Sequence, residues 1–353
     1  RAQRRNLITG EISPATTRYP DEGSRFYSMA LYANYKWNLG QKIVFHTGAR
    51  YSVVRLKAGT EDSDVEALAD ENPNLSLTDI NFFENLDLTN QAVTGSIGVV
   101  YNPNRSTKLS GIVSSGFRAP NVDDIGKVFE VDDNTVVIPN PDLEPEYTYN
   151  QEVSLEQGIT KGLSFKIVAF HSLLTNAIVR GPVTFGDQSS LLYRDREVAL
   201  RSQVNAERAR VYGGLARVDY TPNPAWSVSS SININEGKEL GNGQPLRHAT
   251  PVFGRTSVQF SHKQWTYEVF SDYNATRSAD NIPDAEILDK PHLYTDTGSP
   301  GWATLNLRLG YAPTAKVTVQ GGMENILDKH YRTYSSGISA PGRNLYASIR
   351  ASF

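Results

Sequence analysis

The chain has 353 residues, 39% of them hydrophobic and 10% aromatic, and a net charge of −3. A mean hydropathy of −0.42, with no run of ~18 apolar residues, excludes a helical membrane protein but not a membrane β-barrel. In a barrel strand only every second residue is apolar. The charge gives no nucleic-acid footprint, and the absence of Cys rules out disulfides and thiolate sites.

Two-residue periodicity, the sign of strands with one apolar face, recurs in chain order. The segment Arg1 to Arg5 has no apolar stretch behind it and is not a signal peptide, so a mature product or a fragment is expected. Tyr27, Met29, Leu31, Ala33, Tyr35 and Trp37 then alternate with Ser28, Asn34 and Lys36. Trp226 to Asn235, Trp265 to Val269, Ala303 to Tyr311 and Val317 to Glu324 repeat the pattern. The chain ends on Leu345, Ala347, Ile349, Ala351 and Phe353, set between Asn344, Tyr346, Ser348, Arg350 and Ser352. A strand running to a terminal aromatic suits barrel closure at a membrane interface. Starts are expected near residues 26, 42, 92, 107, 149, 163, 193, 210, 226, 253, 264, 301, 316 and 344, about fourteen strands. The start near 193 is crowded by Arg194, Asp195, Arg196, Glu197 and Arg201.

Connections alternate in length. Short turns are expected at Asn38 to Gln41, Asn102 to Ser106, Thr221 to Pro224 and Ala312 to Thr314. Long polar segments are expected near 58–90, 118–147, 180–207, 236–252, 275–300 and 329–342. Short turns on one side and long loops on the other are an outer-membrane barrel pattern, and the long loops would face outside. The fold class is therefore all-β, a transmembrane antiparallel β-barrel. Aromatics at strand ends (Tyr35, Trp37, Trp226, Trp265, Tyr311) suit interfacial girdles. Arg217, Asp219, Glu268, Arg308, Glu324 and Arg350 share the polar parity and are expected to face the lumen, since charge facing lipid is costly.

Four boxes remain. They are Gly116-Phe117-Arg118-Ala119-Pro120-Asn121, then Asn140-Pro141-Asp142-Leu143-Glu144-Pro145-Glu146, then Met323-Glu324-Asn325-Ile326-Leu327-Asp328-Lys329-His330-Tyr331, then Pro341-Gly342-Arg343-Asn344. In this order, ahead of Phe353, they resemble the C-terminal part of TonB-dependent outer-membrane receptors. The resemblance covers nearly the whole chain. A structural role is expected for most of these residues. Pro120, Pro141 and Pro145 end strands, Asn140 and Asp142 cap turns, and Arg118 and Arg343 hold loop backbones or carboxylates.

The resemblance implies a Gram-negative outer-membrane barrel of about 22 strands. It implies a lumen-filling plug, and a TonB-binding segment reaching the inner-membrane energising complex, both N-terminal to this sequence. Residues 1–353 are then the C-terminal part of the barrel, with plug and first strands supplied by the same polypeptide or by another chain. Expected partners are outer-membrane lipid, TonB and a scarce ligand, first of all a ferric siderophore. Haem is the second choice, because family haem receptors carry an iron-ligating His between the first two boxes and Val122 to Pro139 has none. Cobalamin, other metal chelates and oligosaccharides stay open. Candidate ligand contacts in the outer loops are Phe129, Arg180, Phe185, His248, His292, Tyr294 and Tyr334.

No catalytic constellation, resident metal site or cofactor motif is read. The acids Asp123, Asp124, Glu130, Asp132 and Asp133 lack Ca²⁺-loop spacing and suit a solvated face. Competing readings are a passive channel or adhesin without TonB coupling, a self-contained fourteen-stranded barrel, and a soluble sandwich or propeller.

Overall fold

In the computed structural model, residues 3–5, 10, 12–14, 23–59, 71–72, 85–125, 129–132, 134–140, 142–184, 188–193, 196–205, 208–289 and 291–352 are described. Among them thirteen strands form one antiparallel sheet. They are β1 (Ser24–Leu39), β2 (Ile43–Gly59), β3 (Asn85–Asn104), β4 (Thr107–Arg118), β5 (Glu146–Thr160), β6 (Leu163–Thr175) and β7 (Ala209–Asn223). The rest are β8 (Trp226–Glu239), β9 (Phe253–His262), β10 (Trp265–Asn274), β11 (Trp302–Thr314), β12 (Val317–Glu324) and β13 (Asn344–Ala351). Each strand pairs with the next in sequence, so the sheet is an uninterrupted meander. Short turns follow β1, β3, β5, β7, β9 and β11, and long loops follow β2, β4, β6, β8, β10 and β12. The turn after β1 passes through Gly40 at φ 63°, which glycine adopts without strain.

Thirteen of the fourteen expected strands lie in this sheet; the one expected near 193 does not. Arg196–Asn205 is the centre of a separate five-stranded sheet with Phe129–Asp132, Thr135–Val137, Ile178–Pro182 and Ser190–Tyr193. That small sheet joins the loops after β4 and β6 and has its own core of Val136, Ile138, Leu191, Tyr193, Val198 and Leu200. The sequence shows the reason. Arg196, Glu197 and Arg201 share a strand with Val198 and Leu200, a pattern that buries one face in a loop layer but cannot meet lipid.

Register splits the large sheet into two faces. Trp226, Phe260, Tyr267, Leu309 and Ala347 stand on one continuous row of the apolar parity. Its side chains are open: Met29 is 77% exposed, Leu31 79% and Ile349 75%. Such a surface would aggregate in water and matches a hydrocarbon surround. Aromatic pairs gather at the short-turn end of this face, with ring centroids 4.8 Å apart for Trp226–Phe260 and 4.4 Å for Trp265–Tyr311. They form the girdle expected at one membrane interface.

Closure follows from strand parity. Thirteen strands, each antiparallel to its neighbour, leave β1 and β13 running the same way. An all-antiparallel barrel therefore needs an odd number of further strands between these two edges. Open edges in lipid leave backbone groups unpaired at several kcal/mol each, on the order of the stability of the whole sheet.

Candidate functional site

The polar face carries the charges expected on it. Arg217, Asp219, Glu268, Arg308, Glu324 and Arg350 all fall on the parity opposite the apolar rows. Arg217 donates twice to Asp219, at 2.7 Å each. Arg308 donates to Glu268 at 2.8 Å and to the Tyr346 hydroxyl at 3.0 Å. Arg255 donates to Asp272 at 2.5 and 2.8 Å. The guanidinium groups of Arg255 and Arg308 lie 4.7 and 5.0 Å from the buried Phe270 ring, in cation–π range. Sequence reading missed Arg255 and Asp272, although their parity marks them as plainly as it does the six.

The first two boxes meet at Arg118. Its guanidinium bonds Glu146 at the start of β5 and Asp124 in the short helix Val122–Ile125, the latter at 2.5 Å. Glu146 also accepts the Ile178 N–H at 2.6 Å, at the entry to the five-stranded loop sheet. Asn140 caps its own turn by accepting the Asp142 N–H at 3.0 Å, and donates to the Gln203 carbonyl at 2.9 Å. Ala119, Pro120 and Leu143 are buried, and Leu143 joins a core with Leu56, Ala58, Leu86 and Ile125. Pro141 lies outside the described residues. The boxes thus brace the outer loops against the strand ends. Arg118→Ala should strip a cation from two carboxylates and cost on the order of 2–3 kcal/mol locally. The expected result is faster protease cleavage within 119–145 and 176–208 with the barrel intact.

The last two boxes form one rosette around Asn325, which is 3% exposed with φ 50°. Its side chain donates to the carbonyls of Lys329 (2.8 Å) and Pro341 (3.2 Å) and accepts the Lys329 N–H (2.9 Å). Its backbone N–H donates to Asn306 at 2.8 Å. Asp328 accepts the Arg343 N–H at 2.8 Å, and Arg343 donates to the Ile326 carbonyl at 2.9 Å. A Cβ on Gly342 would stand 2.6 Å from the Asp328 carboxylate and would push it off the Arg343 N–H. Phe353 lies outside the described residues.

Above this rosette three loops join at Glu286, which is fully buried. It accepts from the Tyr294 hydroxyl (2.6 Å), from the Ser335 hydroxyl and from the His248 N–H (3.3 Å). Ser335 also lies 2.8 Å from His248 Nδ1. These residues come from the loops after β8, β10 and β12. Burial pushes the Glu286 carboxyl up, but the bonds from Ser335, Tyr294 and His248 outweigh it and hold the group below its ordinary value. Burial and the bond to Glu286 raise the Tyr294 phenol, and burial beside the same charge pushes Tyr334 up to about 12. Both stay neutral. Ser335, His248 and Glu286 are in contact, yet one hydroxyl touches both partners, so no base is oriented by a third group as in a hydrolytic triad. His248 and Ser335 both sit at φ 61°, unusual for non-glycine residues.

Beside the junction opens a cleft of about 270 Å³ whose lining includes Tyr294, Trp302, Lys329, His330, Tyr331 and Arg332. Trp302 and Tyr331 form a tilted ring pair with centroids 4.2 Å apart. The Trp302 Nε1 and the Tyr334 hydroxyl are buried with no protein hydrogen-bond partner among the described residues. Of the expected ligand contacts, Tyr294 lines the cleft and His248 joins the Glu286 junction, while Tyr334 stands with its ring 6.5 Å from that of Tyr294. His292 is exposed in the turn Pro291–Leu293. Arg180 lies apart on a loop-sheet strand, Phe129 is on another strand of that sheet with its side chain outside the described residues, and Phe185 is outside them altogether. Trp302, Lys329, His330 and Arg332 were missed. For Lys329, His330 and Arg332 the signal was adjacency to Tyr331 of the third box; Trp302, 29 residues upstream of Tyr331, carried none.

Residues 2–326 match the family described as TonB dependent receptor-like, beta-barrel. The chain belongs to this family. TonB-dependent receptors are outer-membrane proteins, and their family is one of receptors and transporters rather than enzymes. Among curated relatives, the chain is similar to the iron-regulated outer membrane virulence protein of Vibrio cholerae serotype O1, 24% identical over 72% of this chain and 38% of that protein. It is also similar to the probable hemoglobin and hemoglobin-haptoglobin-binding protein 4 of Haemophilus influenzae, 24% identical over 69% of this chain and 25% of that one. The chain thus spans well under half the length of these relatives. Its fold matches the solved copper transporter OprC with a TM-score of 0.73 and 15% identity, over 99% of this chain and 52% of that one.

Proposed function

We propose that this chain is the C-terminal part of the barrel of an active outer-membrane importer, and that its ligand is an anionic aromatic iron chelate of the ferric siderophore type. The cleft beside the Glu286 junction carries the reading. It sets Trp302 and Tyr331 rings beside Lys329, His330 and Arg332, a wall for flat, negatively charged ligands. The unpartnered Trp302 Nε1 offers one further donor. Upstream strands close the barrel, and a plug fills it against Arg217, Asp219, Glu268, Arg308, Glu324 and Arg350. Energy arrives through TonB by a segment outside this sequence. Transport leaves the ligand chemically unchanged.

Haem is the second reading. His330 and Tyr331, both iron-ligating side-chain types, line one cleft. A passive channel would pass ligand without TonB. The test uses the full-length receptor: quenching of tryptophan fluorescence by a ferric catecholate and by haem, and uptake in cells with and without TonB. Arg332→Ala with Lys329→Ala should weaken catecholate binding at least tenfold. Loss confined to haem on His330→Ala would reverse the order of the two ligands, and uptake independent of TonB would sink the importer reading.

A further inference from the structure

The apolar parity of β2 changes character near its loop end. Phe45, Ala49 and Val53 lie on this parity, and Arg55 and Lys57 continue it; both are exposed. Register sets Arg25 of β1 across from Lys57, Tyr27 across from Arg55, and Asp87 of β3 beside Lys57 on the other side. Arg55 donates twice to Asp87, at 2.8 and 2.6 Å, and Lys57 lies 3.1 Å from the same carboxylate. Among the described residues three cations here face one carboxylate, which leaves two positive charges. A depression of about 470 Å³ opens here, with Arg25, Lys57 and Asp87 in its lining.

This cluster cannot serve ligand passage through the lumen. On the opposite face of β2, at the same height, Val54, Leu56 and Ala58 are buried, and Leu56 and Ala58 pack under Ile125 and Leu143. The sheet separates the two sides. Height can be read from the strand itself. Arg55 lies twelve residues beyond Ile43, the first residue of β2 after the turn. At ~3.3 Å per residue and a tilt near 40°, that is ~30 Å above the turn, just past an apolar band of ~25 Å. Below the cations come Met29, Val53 and Gln91 at one level and Leu31, Tyr51 and Val93 at the next, with the Tyr51–Gln91 hydrogen bond (2.7 Å) linking the two. Lower still, a depression of about 590 Å³ lies among Phe45, Ile97, Val99, Val113 and Val153, floored by Gly111. The cations thus stand just above a mainly apolar, lipid-facing band, the arrangement that a phosphate headgroup over acyl chains requires.

We propose that Arg25, Arg55 and Lys57 bind the phosphate groups of a phosphorylated lipid of the outer leaflet, whose acyl chains run down the β1–β4 face. The site rests on the lipid-facing parity of the sheet and not on the identity of the transported ligand. Asp87 moderates it by occupying part of the donor set.

The test is native mass spectrometry of the full-length receptor titrated with diphosphorylated lipid A, its dephosphorylated form and phosphatidylglycerol. Diphosphorylated lipid A should be retained at least tenfold more strongly than either control. Arg55→Ala with Lys57→Ala should remove that preference while heat-modifiable gel mobility and ligand uptake stay unchanged. Asp87→Asn frees donors and should strengthen retention severalfold, which a pair serving only to hold Asp87 would not do. Equal retention of the three lipids, or an unaltered preference in the double variant or in Asp87→Asn, would overturn the assignment.

Discussion

Asn325→Ala is expected to destabilise the barrel's last hairpin by on the order of 3–5 kcal/mol. Two separate causes add. The side chain makes three hydrogen bonds that close the loop between β12 and β13, and its removal leaves two carbonyls and one N–H of a part-buried turn without their partner. A fully buried group left unsatisfied costs about 1–3 kcal/mol, and these part-buried ones sit at the low end, about 1 kcal/mol each. The backbone at φ 50° adds about 1–2 kcal/mol for a residue with a Cβ and no compensating local bond. Asn325→Gly separates the two, since glycine accepts the left-handed backbone but makes none of the side-chain bonds. The order expected is wild type, then glycine, then alanine, with about 1 kcal/mol between the last two. The midpoint of heat-modifiable gel mobility for the full-length receptor in detergent reads it. Alanine and glycine variants that melt with the wild type would show that the rosette carries no stability.

Much of this was legible in the residues. Trp226, Val228, Ile232 and Ile234 alternate with Ser and Asn because a barrel strand needs one lipid face and one wet face, and parity alone fixes which is which. Turn and loop lengths were legible for the same reason, as Pro and Asn cluster where pairing must stop. The Asn140 cap on Asp142 and the Arg118 bond to Asp124 join near neighbours, whereas the reach of Asn140 to Gln203, of Arg118 to Glu146 and of Arg343 to Ile326 spans 63, 28 and 17 residues, which no local pattern specifies. The loop layer was not legible either. Thr135–Val137 pairs in parallel with Arg196–Asn205 across some sixty residues, and nothing in either segment names the other. Glu286 was equally silent. A lone acid in a polar loop reads as solvated, and its burial exists only once Tyr294, His248 and Ser335 arrive from three different loops. The cleft suffers the same limit, since Tyr331 from the loop after β12 meets Trp302 at the start of β11. Sequence resolves what a strand does with its own neighbours and loses what loops do with one another.

Glu286→Gln is expected to cost at least tenfold in ligand affinity without unfolding the barrel. The carboxylate accepts from two hydroxyls and one N–H. A neutral amide offers one acceptor and sets an NH₂ against a hydroxyl or the His248 N–H. Bonds to an ionised acceptor are roughly twice as strong as neutral ones. Losing that charge frees Tyr294 and Ser335, both of which line the cleft. The same logic sets a pH dependence. The group's folded value lies below its ordinary one, so its contribution is complete above the ordinary glutamate value of ~4.3. It fades only as pH falls through the lower folded value. Loop order, followed by hydrogen exchange across 275–300 and 329–342 of the full-length receptor, should therefore persist at pH 5 and fail in stronger acid. In the glutamine variant the loops should be loose at every pH and show no acid step. The opposite outcome, a wild-type acid step above pH 5, would mean that burial wins over the three bonds and that Glu286 holds the loops as a neutral acid.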